Sequence, residues 1–428
     1  MSIKKKELIQ KISLTFGVLA IIVILSNIPM LFIKREVLSQ MTDGLSFLTS
    51  LMSGNAFSQM SFLALGVSPY ITSSIILQLM HVFSPKLHEL SRGGKTERDQ
   101  YEKIQYIVAG ILGLISSIAM AISLSRKGAY ESKFIALATI SFLIGSAFMI
   151  CASKLIDKKG LGSGMSLVIM VNILTSMPAT FTTIYSVYIN GKTPAKAGLA
   201  ILIVFTLIIL LFGMCILLLT GESNVPVQYS GKVVGRRMMQ GGQSSIPLKL
   251  NISGVVPVIF ASSILQIIAV ILDFFQKNEV MKYFSMQYWF TEIKYVVGFL
   301  LYALLIILFS FFYNTFQFDP IEVANDLKTG GGMIHGIRPG QPTEQYLRKK
   351  VRRLTIIGSI GLCAIAATPI IIGTVTKLGM LSFGGTSLLI VIGVIIDLRQ
   401  KIMVDIKEVK TRENLFMKRR GALLWSKS

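Results

Sequence analysis

Two Gly-Lys-Thr triplets, at Gly94–Thr96 and Gly191–Thr193, are the first residues whose types could do chemistry. That triplet closes the phosphate cradle of nucleotide-binding loops, which also needs a glycine five residues before the second glycine. Glu89 and Ser186 occupy those positions, so neither triplet can wrap a phosphate. No HExxH zinc helix and no GxSxG nucleophile elbow occurs. The cysteines Cys151, Cys215 and Cys363 are scattered through apolar segments, without metal-ligand spacing or a disulfide framework, and read as small hydrophobes. No paired carboxylates lie within an apolar run. The sequence implies neither an enzyme nor a cofactor.

The elements that hold these residues are mostly apolar. Of 428 residues, 52% are hydrophobic and 15% charged, with a mean hydropathy of +0.66. A soluble protein of this length needs more polar surface. A bilayer core takes about 20 apolar residues per helix. Ten stretches of about that length can be read, at 15–33, 67–84, 104–124, 134–152, 166–190, 199–219, 253–275, 295–317, 354–375 and 379–396. None carries Asp, Glu, Lys or Arg in its middle. Lys4–Lys6 before the first run resembles the start of a signal peptide, but no small-residue cleavage site follows, so that run is read as the first span.

The net charge of +22 sets an orientation. With both termini cytoplasmic, about three-quarters of the 43 Lys and Arg residues fall on the inner side, as the positive-inside rule requires. The reverse orientation would place most of them outside.

One stretch breaks the pattern. The 42 residues between Asp43 and Lys86 carry no formal charge, His81 aside. Two full spans here would invert every later loop and destroy the charge asymmetry. The expectation is a short half-inserted piece, a break at Gly66, and then a span capped by Ser68 with Pro69 in its first turn. Irregular backbone at membrane depth must line or block a cavity.

Two long loops, 220–252 and 318–353, alternate apolar and polar residues between Gly/Pro turns and basic clusters. They read as ordered, positively charged platforms. The first runs from Val225-Pro-Val-Gln-Tyr through Gly235-Arg-Arg to Ile246-Pro-Leu-Lys-Leu. The second runs from Phe316-Gln-Phe-Asp-Pro-Ile-Glu-Val-Ala-Asn-Asp to Gly336-Ile-Arg-Pro-Gly.

These two stretches resemble the sixth and eighth intervening loops of the SecY family, the central subunits of the bacterial protein-conducting channel. So do Gly66-Val-Ser-Pro-Tyr-Ile-Thr-Ser-Ser-Ile-Ile-Leu-Gln, Gly162-Ser-Gly-Met-Ser and Phe383-Gly-Gly-Thr-Ser-Leu-Leu-Ile. The motifs occur in family order from the first span to the tenth. The chain departs from the family pattern at Gly231-Lys232, where two adjacent basic residues are common.

The resemblance implies an all-α polytopic membrane protein with ten transmembrane helices in two pseudo-symmetric inverted halves of five. The halves would be 15–190 and 199–397, joined by an extracytoplasmic hinge at 191–198. A cytoplasmic N-terminus (1–14) and a basic cytoplasmic tail (398–428) flank them. A pore ring of Ile71, Ile75, Ile169, Ile173, Ile259 and Ile390 is implied. A re-entrant plug helix over 45–65 would sit beneath it, contributing Leu45, Phe47, Leu48, Leu51, Gly54, Asn55, Phe57 and Leu63. A sideways exit would be bordered by Gln78, Ser262, Ser263 and Gln266. Lys232, Arg236, Arg237 and Arg338 match docking positions for SecA or a translating ribosome, including ribosomal RNA. SecE and SecG would be membrane partners, and signal peptides and unfolded preproteins the substrates. Anionic lipids would surround the chain in a bacterial cell membrane.

An ion-coupled secondary transporter could share the spans and inverted halves, but it normally keeps a charged residue or histidine within a span. An accessory SecY paralogue for a dedicated substrate is the other alternative.

Overall fold

The computed structural model describes residues 3–30, 59–126, 128–188, 194–229, 232–234, 237–239, 243–275, 278–284, 289, 295–375 and 387–404. The chain divides into two compact units. One comprises Met1–Thr182, Gln266–Met281 and Gly393–Ser428; the other Thr183–Leu265 and Lys282–Ile392.

The first unit contains α1 (Ile3–Ser26), α2 (Ser68–Phe83), α3 (Pro85–Arg92), α4 (Lys95–Arg126), α5 (Ile135–Lys159) and most of α6 (Gly164–Tyr188). On α4 the buried positions Gln105, Ala109, Gly113, Ser117 and Ala121 recur every fourth residue, all but Gln105 small, and Leu124 is buried beyond them. The opposite face exposes Ile107, Ile111, Leu114 and Ile115. Large apolar side chains outside and small ones inside is the pattern of a helix solvated by lipid. The small stripe lets backbones approach, and a Cβ at Gly113 would touch Pro69 of α2 and both Leu143 and Ser146 of α5. α5 buries small residues, Ala138, Gly145, Ala152 and Ser153, together with the large Phe142, Met149 and Ile156, and exposes Leu137, Ile140 and Ile144.

The second unit contains α7 (Pro194–Thr220), β1 (Glu222–Tyr229), β2 (Lys232–Val234), β3 (Arg237–Met239) and β4 (Gln243–Lys249). Next come α8 (Val256–Phe274), α9 (Asn278–Phe284), α10 (Val296–Gln317), α11 (Pro320–Gly330), β5 (Gly332–Ile334) and α12 (Gln341–Val375). α13 follows over 387–404. The unit boundary cuts α8 after Leu265, α9 after Met281 and α13 after Ile392, so Gln266–Met281 and the end of α13 from Gly393 belong to the first unit.

Both long loops fold into one small sheet, ordered β4-β1-β5, in which Val225 pairs with Ile246 and Val227 with Ile334. Its inward face joins Val225, Val227, Leu248, Leu327, Leu347 and Val351 in one apolar core. α11 begins at a proline behind Asp319, whose carboxylate accepts the Ile321 N–H at 2.9 Å, and ends at Gly331 in the left-handed region. Among the described residues the architecture is thus helical apart from these short strands and a β2–β3 hairpin.

Each expected apolar stretch overlaps a helix. Among the described residues five helices are long and apolar enough to cross a membrane: Ile9–Ser26, Lys95–Arg126, Ser132–Lys159, Val296–Gly330 and Gln341–Thr368. Gly164–Pro178, Ile208–Thr220 and Val256–Ala269 are shorter apolar stretches. One expected detail is corrected. The N-cap of α2 is Val67, not Ser68, and no side chain caps it. The chain enters α2 from a buried turn in which Gly66 N–H bonds Leu63 O and Val67 O accepts from Tyr70 and Ile71, so the backbone supplies the helix start itself.

Candidate channel elements

On α2, Ile71 and Ile75 lie four residues apart on one face, and both are buried. On α6, Ile169 and Ile173 repeat the arrangement, with Asn172 buried beside them. These four belong to the first unit. Ile259 on α8 and Ile390 on α13 belong to the second and are half-buried.

The start of α6 is fixed by polar contacts that hydropathy does not reveal. The Asp157 carboxylate accepts the Gly164 N–H at 2.6 Å, acting as a remote cap. The neighbouring turn is pinned to α1, where the Thr15 hydroxyl accepts the Leu161 N–H at 3.0 Å. Gly164 has no room for a side chain, because a Cβ would overlap the Ser153 carbonyl. α2 is held by a ring stack in which Tyr70, next to Ile71, meets Tyr106 at 5.9 Å between centroids. The Lys154 ammonium lies 4.1 Å from the Tyr106 centroid. Such a cation–π contact stabilises by about 0.5–1 kcal/mol at exposed sites.

The segment leading into α2 is anchored. Met60, Ala64 and Leu65 pack with Ala121, Leu124, Ala129, Tyr130, Ala138 and Phe142. Met30 N–H bonds Met60 O at 3.2 Å, and Pro29 pairs with Ser61. Leu63 is buried in a turn, its N–H bonded to the Ser61 hydroxyl at 3.1 Å. The other plug positions, Leu45, Phe47, Leu48, Leu51, Gly54, Asn55 and Phe57, lie outside the described residues.

Of the residues assigned to the sideways exit, Gln78, Ser262 and Ser263 each have a bond within their own helix. Ser262 and Ser263 both donate to the Ile259 carbonyl at 2.8 Å. Gln78 donates to the Ser74 hydroxyl at 3.2 Å, and Gln266 is buried. A helical serine always has the carbonyl one turn back within reach, and these take it.

Of the docking positions, Lys232 sits on β2 and Arg237 on β3, paired across the hairpin with Met239 and Val234. Arg236 lies outside the described residues. Arg338 is exposed in the turn between β5 and α12, where its carbonyl accepts the Thr343 hydroxyl at 2.9 Å. In the second unit Asn314 of α10 donates to the Thr355 hydroxyl of α12, fastening the two helices below the sheet.

Lipid-solvated helices, an anchored entry to α2 and a small sheet on two extended loops define a polytopic helical membrane protein. Its fold is that of solved protein-conducting channels. It aligns with the structure of a protein conducting channel at a TM-score of 0.63 and 17% identity, covering 93% of this chain and 92% of the other. Sec61 in the canine ribosome-channel complex aligns at 0.58 and 16%, with the same coverage. The SecY family model matches residues 61–399. Protein translocase subunit SecY of Chlamydia trachomatis is 32% identical over 92% of this chain and 93% of its own length. That of Staphylococcus epidermidis is 34% identical over 94% and 95%. The chain belongs to the SecY family.

Proposed function

We propose that this chain forms the polypeptide path of a Sec translocon, passing unfolded secretory chains across the membrane and releasing apolar segments sideways into lipid. The observation that carries the reading is the pair of buried i, i+4 isoleucine pairs, Ile71/Ile75 and Ile169/Ile173, on helices whose ends are fixed by specific polar contacts. By the family resemblance, Ile259 and Ile390 would complete an apolar constriction with them. Such a ring resists ions by dewetting while offering an extended chain no strong binding site.

The remaining assignments follow from family membership and charge. Ten spans in two inverted halves would place both termini and the sheet-bearing loops in the cytoplasm of a bacterial cell. The Leu45–Leu65 region would plug the ring at rest. Gln78, Ser262, Ser263 and Gln266 would border the exit for membrane segments. The chain would act without a catalytic site, driven by SecA or a translating ribosome docking at Lys232, Arg236, Arg237 and Arg338, with SecE and SecG beside it. Basic side chains meeting ribosomal RNA would bind phosphates and weaken with salt.

Reconstitution tests this. Proteoliposomes carrying the chain with SecE- and SecG-type subunits, given SecA and ATP, should accumulate protease-protected precursor. Protection equal to that of liposomes lacking the chain would refute the reading.

A further inference from the structure

α12 carries its basic residues and its lipid-facing residues on one face. Thr343, Leu347, Val351, Leu354, Gly358, Leu362 and Ile365 form a buried stripe along one side. Through Leu347, Val351 and Leu354 this stripe packs into the sheet's core, so the helix cannot turn about its axis. The opposite side exposes Lys349, Arg352 and Arg353, then Ile356, Ile357 and Ile360. At 100° per residue these six fall within one sector.

The change from cation to isoleucine is abrupt. Ile357 and Ile360 are 54% and 59% exposed and lie in a stretch long and apolar enough to cross a membrane, so this part of the face meets lipid tails. Arg353 lies about 6 Å above Ile357 along the helix, and Lys349 about 6 Å further. One headgroup layer is about 5–8 Å thick. Arg352 and Arg353 therefore stand at phosphate depth and Lys349 at the outer edge of the headgroup layer, where long basic side chains lie along an apolar surface with their charges outward. Arg348, on the flank, is engaged by Glu344 at 2.7 Å. Among the described residues no carboxylate pairs with Lys349, Arg352 or Arg353.

We infer that Lys349, Arg352 and Arg353 form a binding site for the headgroup of an anionic phospholipid, whose acyl chains lie on Ile356, Ile357 and Ile360. The site rests on α12 being inserted in a bilayer, not on transport. A guanidinium pair and an ammonium one turn apart can hold a phosphodiester from two sides, and arginine does so with two parallel N–H donors. A membrane ligand fits better than RNA, because the cations adjoin the lipid-facing isoleucines on the same fixed face.

The test places photoreactive benzoylphenylalanine at Ile357 (Ile357→benzoylphenylalanine) in full-length protein. The bilayer contains equal amounts of phosphatidylglycerol and phosphatidylcholine, and the adducts are identified by mass spectrometry. Each basic group near an anionic surface raises partition about fivefold. Phosphatidylglycerol adducts should exceed phosphatidylcholine adducts by about fivefold or more, and the Lys349→Gln/Arg352→Gln/Arg353→Gln variant should fall to parity. The same probe at Ile140, on the lipid face of α5, should give parity throughout. Parity at Ile357 in the parent protein, or a preference that survives the triple variant, would overturn the site. So would parity combined with loss of ribosome binding in the variant, which would assign the patch to RNA. Precursor transport in the same vesicles separates failure of this site from failure of the channel reading.

Discussion

Gly145 of α5 lies so close to the main chain at Phe62 that any side chain would overlap the Phe62 carbonyl. The glycine makes room for the buried turn that delivers the chain into α2 and sets where Ile71 begins its face. Gly145→Ala must push that turn away or strain α5, at a cost of about 1–3 kcal/mol. Gly110, on α4, has open space around its Cβ position, so Gly110→Ala should be neutral or stabilising by about 0.5–1 kcal/mol. Thermal unfolding of the detergent-purified variants checks both, and equal behaviour would remove Gly145 from its role.

Tyr130 ties the same turn region together, its hydroxyl donating to the Ala121 carbonyl at 2.6 Å. Tyr130→Phe should cost about 0.5–1.5 kcal/mol. Burial pushes the Tyr130 phenol up to about 12, above the unfolded value of about 10. The neutral phenol is the form the fold prefers. Its contribution is therefore complete below about pH 10 and is lost as pH rises through about 12. A pH series of unfolding midpoints should lose part of this alkaline slope in the Phe variant.

Asp157 supports α6 through one hydrogen bond to Gly164 N–H. Asp157→Ala should destabilise by about 0.5–2 kcal/mol, whereas Asp157→Asn keeps an acceptor and should retain most of the stability. Because the cap fixes the turn of α6 on which Ile169 stands, the Ala variant should also raise ion leak across proteoliposomes. Unchanged leak would confine Asp157 to stability alone.

Arg338 is exposed, and its turn is held through the backbone carbonyl. Arg338→Glu should leave the unfolding midpoint within about 0.5 kcal/mol of the parent. It should still depress SecA-driven or ribosome-driven transport strongly relative to the parent, and less so at high salt, where the charge contact is screened in the parent as well. Loss of transport accompanied by unfolding would point to structure instead.

Much of this architecture is legible in the sequence because lipid imposes a simple rule: an apolar run long enough to span becomes a helix. That rule marks where lipid begins rather than where the helix does. α4 starts at Lys95 and α12 at Gln341, well before their apolar runs at 104 and 354, since Glu97, Arg348 and their neighbours are good helix formers in water. The alternation in both loops anticipates ordered platforms. It does not anticipate that β1 joins them, pairing Val225 with Ile246 on one side and Val227 with Ile334 on the other. That depends on partners far apart in the chain. Likewise, the polarity of Ser262, Ser263 and Gln78 does not reveal that each has a bond to its own helix, to the Ile259 carbonyl or the Ser74 hydroxyl. Gly145, Asp157 and Thr15 leave no sequence signal beyond one glycine in an apolar helix and polar residues near span ends.

The most direct measurement of the central claim uses a secretory precursor halted in transit, with single cysteines at Ile75→Cys and Ile259→Cys and a control at Ile115→Cys on the lipid face of α4. The account predicts disulfide crosslinks from the mid-region of the precursor to both isoleucine positions and none to the control. Crosslinks absent from both positions while transport proceeds, or equally strong at Ile115→Cys, would contradict it.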